Sequence, residues 1–520
     1  MPTSTVKQFS ASILSSYGPL VTGFAIHLNQ SPLMRAFRLI LLAIIQVVSG
    51  FLVSSYHAEV QAQALQARIA ARPSALSKLQ IELQFPAETD VLSFRNSYAG
   101  ILGLGQRIGT VEARSATGEV VRVEKMAPGE FKSTRKASRF TYEVDVTGPA
   151  RIENMSHISW LNRERGLLMP ADLLPRPISG PGNFSSVRIS LEVPPGWATS
   201  SNIPREGQHD FFTREPDKAV FLIGPDLHEA STDLGSSKFR LTTSGRWPFS
   251  GAEALKTSRR ILDEYSRVTG VRLKSDSNLI LVPFPGKAEQ GRWSAEARGN
   301  AVVLLMGGGG SRKQRLARLG ILLSHELFHL WVPNSLSLDG DYDWFFEGFT
   351  LYQALLTDLR LGLISFDDYL ETIGRVYSSY LASSGADRLS LIEASERRWT
   401  ASSSLVYDKG MLVAFIYDLM IRGRTNCKTS LSDVYRELFR AHSTGQGNAN
   451  ETIIRLLGER AGMEAFVKEH VEERGKLDFN SQFTRYGLQI QANGARQRLA
   501  VGASLDKTQR ELLVCLGYKS

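Results

Sequence analysis

The stretch LQIELQF, Leu79–Phe85, alternates apolar and polar residues, and FTYEVDV (Phe140–Val146) and VRISLEV (Val187–Val193) repeat the pattern. A period of two sends alternate side chains to opposite faces, so each stretch predicts a strand with one buried face. Turn-forming segments such as PRPISGPG (Pro175–Gly182) lie between them, and no long helical pattern intervenes. Residues 75–245 therefore read as an all-β domain, a sandwich, preceded by a polar and alanine-rich linker. From AEALKTSRRILDEYSRVTG (Ala252–Gly270) the period becomes helical, and two apolar strands follow, NLILVPF (Asn278–Phe284) and AVVLLM (Ala301–Met306). Helix, strand and helix in this order predict an α/β catalytic lobe over residues 250–425. The run Gly307–Gly310 lacks the G-K-[ST] of a phosphate-cradling loop and reads as a connector. Beyond Asp367 the pattern is mostly helical to about Arg474, which assigns 426–490 to a helical C-terminal domain and 491–520 to a tail. The fold class that results is α+β, with several domains.

A different pattern occupies the first 64 residues. The apolar run LILLAIIQVVSGFLV (Leu39–Val53) follows Arg35 and Arg38, and the small residues AQA (Ala62–Ala64) come after it. Basic, apolar and small segments in this order predict a signal peptide, with an N-terminal membrane anchor as the alternative. Either one predicts an exported protein, periplasmic or otherwise extracytoplasmic, and the anchor adds membrane association.

Composition narrows the picture without changing it. At 520 residues the chain exceeds one compact core, and 42% hydrophobic with 22% charged residues is globular usage. The net charge of +9 reflects runs such as KSTRKASR (Lys132–Arg139) that suit a solvated loop, so no nucleic-acid partner is expected. The two cysteines, Cys427 and Cys515, make neither a disulfide scaffold nor a Cys-rich metal site, and their pairing is left open.

The chemistry concentrates in SHELFHLW, Ser324–Trp331. On a helix, residues four apart share a face, so His325 and His329 can present both imidazoles to one metal ion while Glu326 flanks it. A hydrolytic zinc site uses three protein ligands and an open position. The third candidate is Glu347, in the first turn of a helix begun by WFFEGFTLYQALL (Trp344–Leu356). Such a site predicts one Zn2+ per chain, with Glu326 as general base toward water. Tyr407, at the start of YDKGMLVAFIYDLMIR (Tyr407–Arg422), reads by spacing alone as a core aromatic.

Taken together, HELFHLW, WFFEGFT and YDKGMLVAFIYDLMIR resemble the glycyl aminopeptidase family of gluzincin zinc metallopeptidases, relatives of aminopeptidase N. The resemblance extends to VRISLEVPPGW (Val187–Trp197) and to Met463–Ile490, and so covers most of residues 75–490. It implies an N-terminal β domain, a thermolysin-like catalytic domain and a helical C-terminal domain. Carried over, it makes His325, His329 and Glu347 the zinc ligands, Glu326 the general base and Tyr407 the oxyanion donor. It also aligns Glu296, in SAEARGNAVVLL (Ser294–Leu305), with the family's acidic position, although the glycine and histidine usual beside it are missing. There a carboxylate would anchor a peptide's free amine. No segment of PDZ length follows Ile490. The expected activity is hydrolysis of peptides by a zinc aminopeptidase. Two alternatives stand beside it, a zinc endopeptidase of the same fold and a non-catalytic envelope binding module.

Overall fold

The computed structural model of the chain describes residues 64–178, 182–286, 288–383, 388–399, 404–442, 447–478, 480–493 and 496–519. The expected signal or anchor, Leu39–Val53, lies outside them. Among the described residues no helix is long and apolar enough to cross a membrane. Residues Leu65–Ser520 form one compact unit.

Two sheets build the N-terminal part. The larger runs in the order Asp210–Thr213, Ser186–Glu192, Ala64–Ala71, Lys78–Ser93, Glu130–Asp145, Ile108–Arg114 and Val120–Val121, with Val123–Ala127 added to Glu130–Asp145. The smaller runs Ala198–Ser201, Phe221–Gly224, Gly166–Leu168 and Trp160–Leu161. Ile81, Leu83, Phe140, Val144, Val187 and Ile189 from the first pack with Leu161, Leu168, Phe221 and Ile223 from the second, which is a sandwich core. The linker expected before residue 75 is in part a strand. Ala64–Ala71 pairs with Leu79–Gln84, because Leu65, Ala67 and Ile69 supply a buried stripe that small alanines do not reveal by hydropathy.

A second correction concerns the domain edge. Strands His228–Asp233 and Lys238–Thr243, expected in the β domain, belong instead to the catalytic sheet, ordered His228–Asp233, Lys238–Thr243, Ser277–Pro283, Ala301–Met306 and Trp293–Arg298. Its three middle strands are parallel. Ile280, Val282, Val303 and Leu305 face the small N-terminal sheet through Trp160, Leu167 and Leu222. Leu279, Leu281, Val302 and Leu304 face the helices. Both faces are covered, and so these strands read as unbroken apolar runs rather than alternations.

On the far face lie helices Gly251–Thr269, Arg312–Phe328 and Thr350–Arg360, and beyond them Phe366–Ala382, Gly410–Arg424, Leu431–His442 and Ala449–Gly458. The helix Gly410–Arg424 is buried on all sides from Gly410 to Arg422, as a helix apolar all round must be. The expected tail is folded. Leu488–Asn493 and Arg496–Val501 pair as a hairpin against Phe366–Ala382, and helix Lys507–Leu516 buries Leu512, Leu513 and Leu516 in the main core. A disulfide from Cys427 to Cys515, 88 residues apart, ties this helix to the end of the central one. By loop-closure entropy a bridge of that span stabilises by about 4.6 kcal/mol. Reduction, or joint replacement of both cysteines by serine, is expected to lower the thermal midpoint, and an unchanged midpoint would remove the bridge from the list of stabilising contacts.

Candidate active site

The connector Gly307–Gly310 leads into Ser311, which caps the helix Arg312–Phe328. The Ser311 hydroxyl accepts from the Gln314 amide at 3.3 Å, and Gln314 Oε1 accepts from the Ser311 amide at 2.8 Å, closing a capping box. The helix carries His325 and Glu326 in its last turn and ends at His329. There the His329 Nδ1–H donates to the Val332 carbonyl at 2.9 Å. A carbonyl only accepts, so this bond holds a proton on Nδ1 and leaves Nε2 as the nitrogen that can ligate a metal once its own proton is displaced.

Glu347 lies in a π turn, Trp344–Phe349, that runs into helix Thr350–Arg360, and Tyr407 lies in a second π turn, Leu405–Lys409, that runs into Gly410–Arg424. The two turns touch through glycines. A Cβ on Gly348 would sit 2.6 Å from the Gly410 Cα and 2.6 Å from the Val406 carbonyl oxygen, while one on Gly410 would sit 2.8 Å from the Trp344 carbonyl oxygen. Only glycine at both positions lets the turns approach this closely, and the approach sets Glu347 and Tyr407 on one cavity.

Three ligand atoms converge there. His325 Nε2 and His329 Nε2 are 3.2 Å apart, and each is 3.5 Å from Glu347 Oε2. Tetrahedral coordination at zinc–ligand bonds of about 2.0–2.1 Å requires ligand separations of about 3.3 Å, which these match. Among the described residues, Glu347 Oε2 and His325 Nδ1 are buried and have no hydrogen-bond partner. A buried carboxylate oxygen without a donor, facing two imidazole nitrogens, fits a cation and little else. His325, His329 and Glu347 therefore meet the needs of the expected zinc.

The other expected residues share a cavity of about 950 Å³ with them. Glu326 is 5% exposed and has no hydrogen-bond partner among the described residues. Burial raises its carboxyl above the usual range, with the two histidines opposing. The Tyr407 hydroxyl accepts from Arg398 Nη2 at 2.6 Å, and burial pushes its ionisation up. Glu296 reaches the cavity from Trp293–Arg298, where alternation turns Ser294, Glu296 and Arg298 toward the β domain. Its carboxylate is shared by Arg298 at 2.9 Å, His157 Nδ1 at 2.8 Å and the Tyr98 hydroxyl. Burial disfavours its charge, but Arg298, His157 and Tyr98 outweigh that and hold it below the usual range.

Four of these neighbours were not singled out in the sequence. Tyr98 arrives on a hairpin, Ser97–Leu102, and His157 on a loop of the β domain, more than a hundred residues from Glu296 in each case. Arg398 and Asp343 pair beside Glu347. The one sequence signal was the pair Arg397–Arg398 ahead of Trp399, indistinguishable from a solvated run.

Comparison with known proteins follows the same lines. Residues 318–413 match the family model of the M61 glycyl aminopeptidases. An aminopeptidase N family protein from Idiomarina loihiensis superposes with a TM-score of 0.70 at 19% identity, over 82% of this chain and 79% of that one. The M1 zinc metallopeptidase from Deinococcus radiodurans, in a variant bound to a Tyr-Ser-Ala substrate, does so with a TM-score of 0.50 at 14% identity, over 80% of this chain and 95% of that one. At these identities the likeness is one of fold. No curated protein matches the chain. The matched segment contains both histidines, Glu326, Glu347 and Tyr407, and the chain is a peptidase hydrolase similar to the M61 glycyl aminopeptidases.

Proposed function

We propose that the chain is a zinc-dependent aminopeptidase that uses water as nucleophile, with one zinc held by His325, His329 and Glu347. The observation that carries this reading is the convergence of three candidate ligand atoms at tetrahedral spacing beside a buried Glu326. When bound, zinc supplies Lewis-acid polarisation of a carbonyl and lowers the pKa of water toward neutrality. Glu326 takes the proton of the attacking water and passes it to the leaving amine. Tyr407 donates its hydroxyl proton to the oxyanion that forms as the carbonyl carbon becomes tetrahedral. Glu296, at the end of the cavity walled by Tyr98 and His157, receives the free α-amine and sets the bond to be cut one residue away.

One observation favours a second reading, an endopeptidase. Arg298 is 5% exposed and already offsets the charge of Glu296, leaving less attraction for an ammonium group. The two readings separate on free and N-acetylated forms of one short peptide. An amine site is expected to prefer the free form by about 10- to 100-fold in kcat/KM, the worth of a hydrogen bond to a charged group, and Glu296→Ala is expected to erase most of that preference. Equal cleavage of both forms by the wild type makes the enzyme an endopeptidase. No cleavage of either, with zinc bound, refutes the peptidase mechanism proposed here.

Export is part of the proposal. Its supports are the basic, apolar and small segments ahead of Leu65 and the Cys427–Cys515 disulfide, which persists in oxidising compartments.

A further inference from the structure

We infer that Arg398 is a positioning residue that couples the metal ligand Glu347 to the hydroxyl of Tyr407, an inference that rests on the metallopeptidase reading of the site. Its side chain is 11% exposed. One nitrogen, Nη2, donates to Glu347 Oε1 at 2.8 Å and to the Tyr407 hydroxyl at 2.6 Å, and Nη1 pairs with Asp343. The guanidinium lies 4.5 Å from the Trp399 ring centre, 5.4 Å from that of Tyr407 and 5.7 Å from that of Phe346. Packed against three rings and hydrogen-bonded on both nitrogens, it has little freedom to turn. The segment that carries it is docked at the site as well, since the Ser395 hydroxyl accepts from the Trp344 amide, at the start of the Glu347 turn, at 2.9 Å.

Two consequences follow from the direction of these bonds. A guanidinium has donors and no acceptor. It therefore occupies Glu347 Oε1 and leaves Oε2, the oxygen without a partner, to face His325 and His329. It also forces the Tyr407 oxygen to accept, so the phenol's single proton is not spent on Arg398 and is free to be donated into the cavity. One side chain thus selects the liganding oxygen of Glu347 and the donor direction of Tyr407. Lysine has one nitrogen where arginine uses two, so it cannot keep Asp343 together with Glu347 and Tyr407 and is held less firmly.

The test uses the full chain and two readouts. Zinc retention against a competing chelator needs no substrate, and kcat and KM are measured at saturating zinc on a peptide that the wild type cuts. Arg398→Met is expected to weaken zinc retention by about 10- to 100-fold, as loss of a group orienting a ligand does. At saturating zinc it is expected to lower kcat by about 10²–10³-fold, the scale of one oxyanion donor, with KM within a few-fold. Because Arg398 acts on kcat through the phenol, the double variant Arg398→Met/Tyr407→Phe is expected to be no more than about threefold slower than Tyr407→Phe alone. Arg398→Lys is expected to fall between wild type and Arg398→Met in both readouts, and it carries the test should the methionine variant fail to fold. Wild-type zinc retention in Arg398→Met, or a double variant slowed by the product of the single effects, overturns the inference. If the wild type hydrolyses nothing, the proposed function fails, and the zinc readout alone still decides the link to Glu347.

Discussion

Glu326→Gln is expected to keep its zinc and to lose turnover by about 10²–10⁴-fold, the range of general-base catalysis. Glu326 stands directly after His325 in the chain but is not one of the three converging groups. Glutamine has nearly the same shape, so the packing of a residue only 5% exposed is preserved. What disappears is the ability to accept a proton. Burial raises the Glu326 carboxyl above the usual range, with His325 and His329 opposing. Metal analysis and kcat measured on the same preparation check the expectation. A variant with full zinc and unchanged kcat would show that the proton is taken by some other group.

His325→Ala is expected to empty the site and abolish activity, because two remaining protein ligands rarely hold zinc against a chelator. His325 Nε2 is 3.2 Å from its partner imidazole and 3.5 Å from Glu347, and among the described residues no fourth His, Cys, Asp or Glu joins this group to replace it. Zinc binding should also depend on pH. In the metal-free chain burial disfavours the imidazolium of His329, but Glu347 outweighs burial and raises His329 to about 9. Below that pH the metal-free site holds a proton that the metal must displace, so apparent zinc affinity is expected to rise with pH up to about 9 and to fall on acidification. Equilibrium dialysis at several pH values, with wild type and His325→Ala in parallel, measures both effects. Full zinc occupancy in the variant would falsify the ligand assignment.

Local pattern was sufficient for what depends on neighbours in the chain. The spacing of His325 and His329 dictates that both imidazoles share a helix face, whatever the helix packs against. Alternation in Leu79–Phe85 and Phe140–Val146 dictates strands with one buried face, and both stretches lie in the large N-terminal sheet. Resemblance added Tyr407, whose spacing alone pointed to the core. The first strand escaped notice because alanine hides a buried stripe, and the C-terminal helix because its binding surface belongs to the central helix and a distant cysteine.

What only tertiary structure decided is where side chains distant in sequence meet. Glu347 and Tyr407 come together through Gly348 and Gly410, and a glycine shows its purpose only once the backbone opposite it is known. Glu296 was legible as an acidic residue before a strand, but not as one held by Tyr98, His157 and Arg298, since two of these come from another sheet system. Arg398 was hidden for the same reason. In sequence an arginine in a charged run is a solvated residue, and nothing local distinguishes it. Three rings, one of them the phenol of Tyr407, and two carboxylates assemble around it in the fold, and the desolvation they impose turns a surface charge into a directed donor. Periodicity is a property of neighbours along the chain, whereas burial and hydrogen-bond direction are properties of neighbours in space.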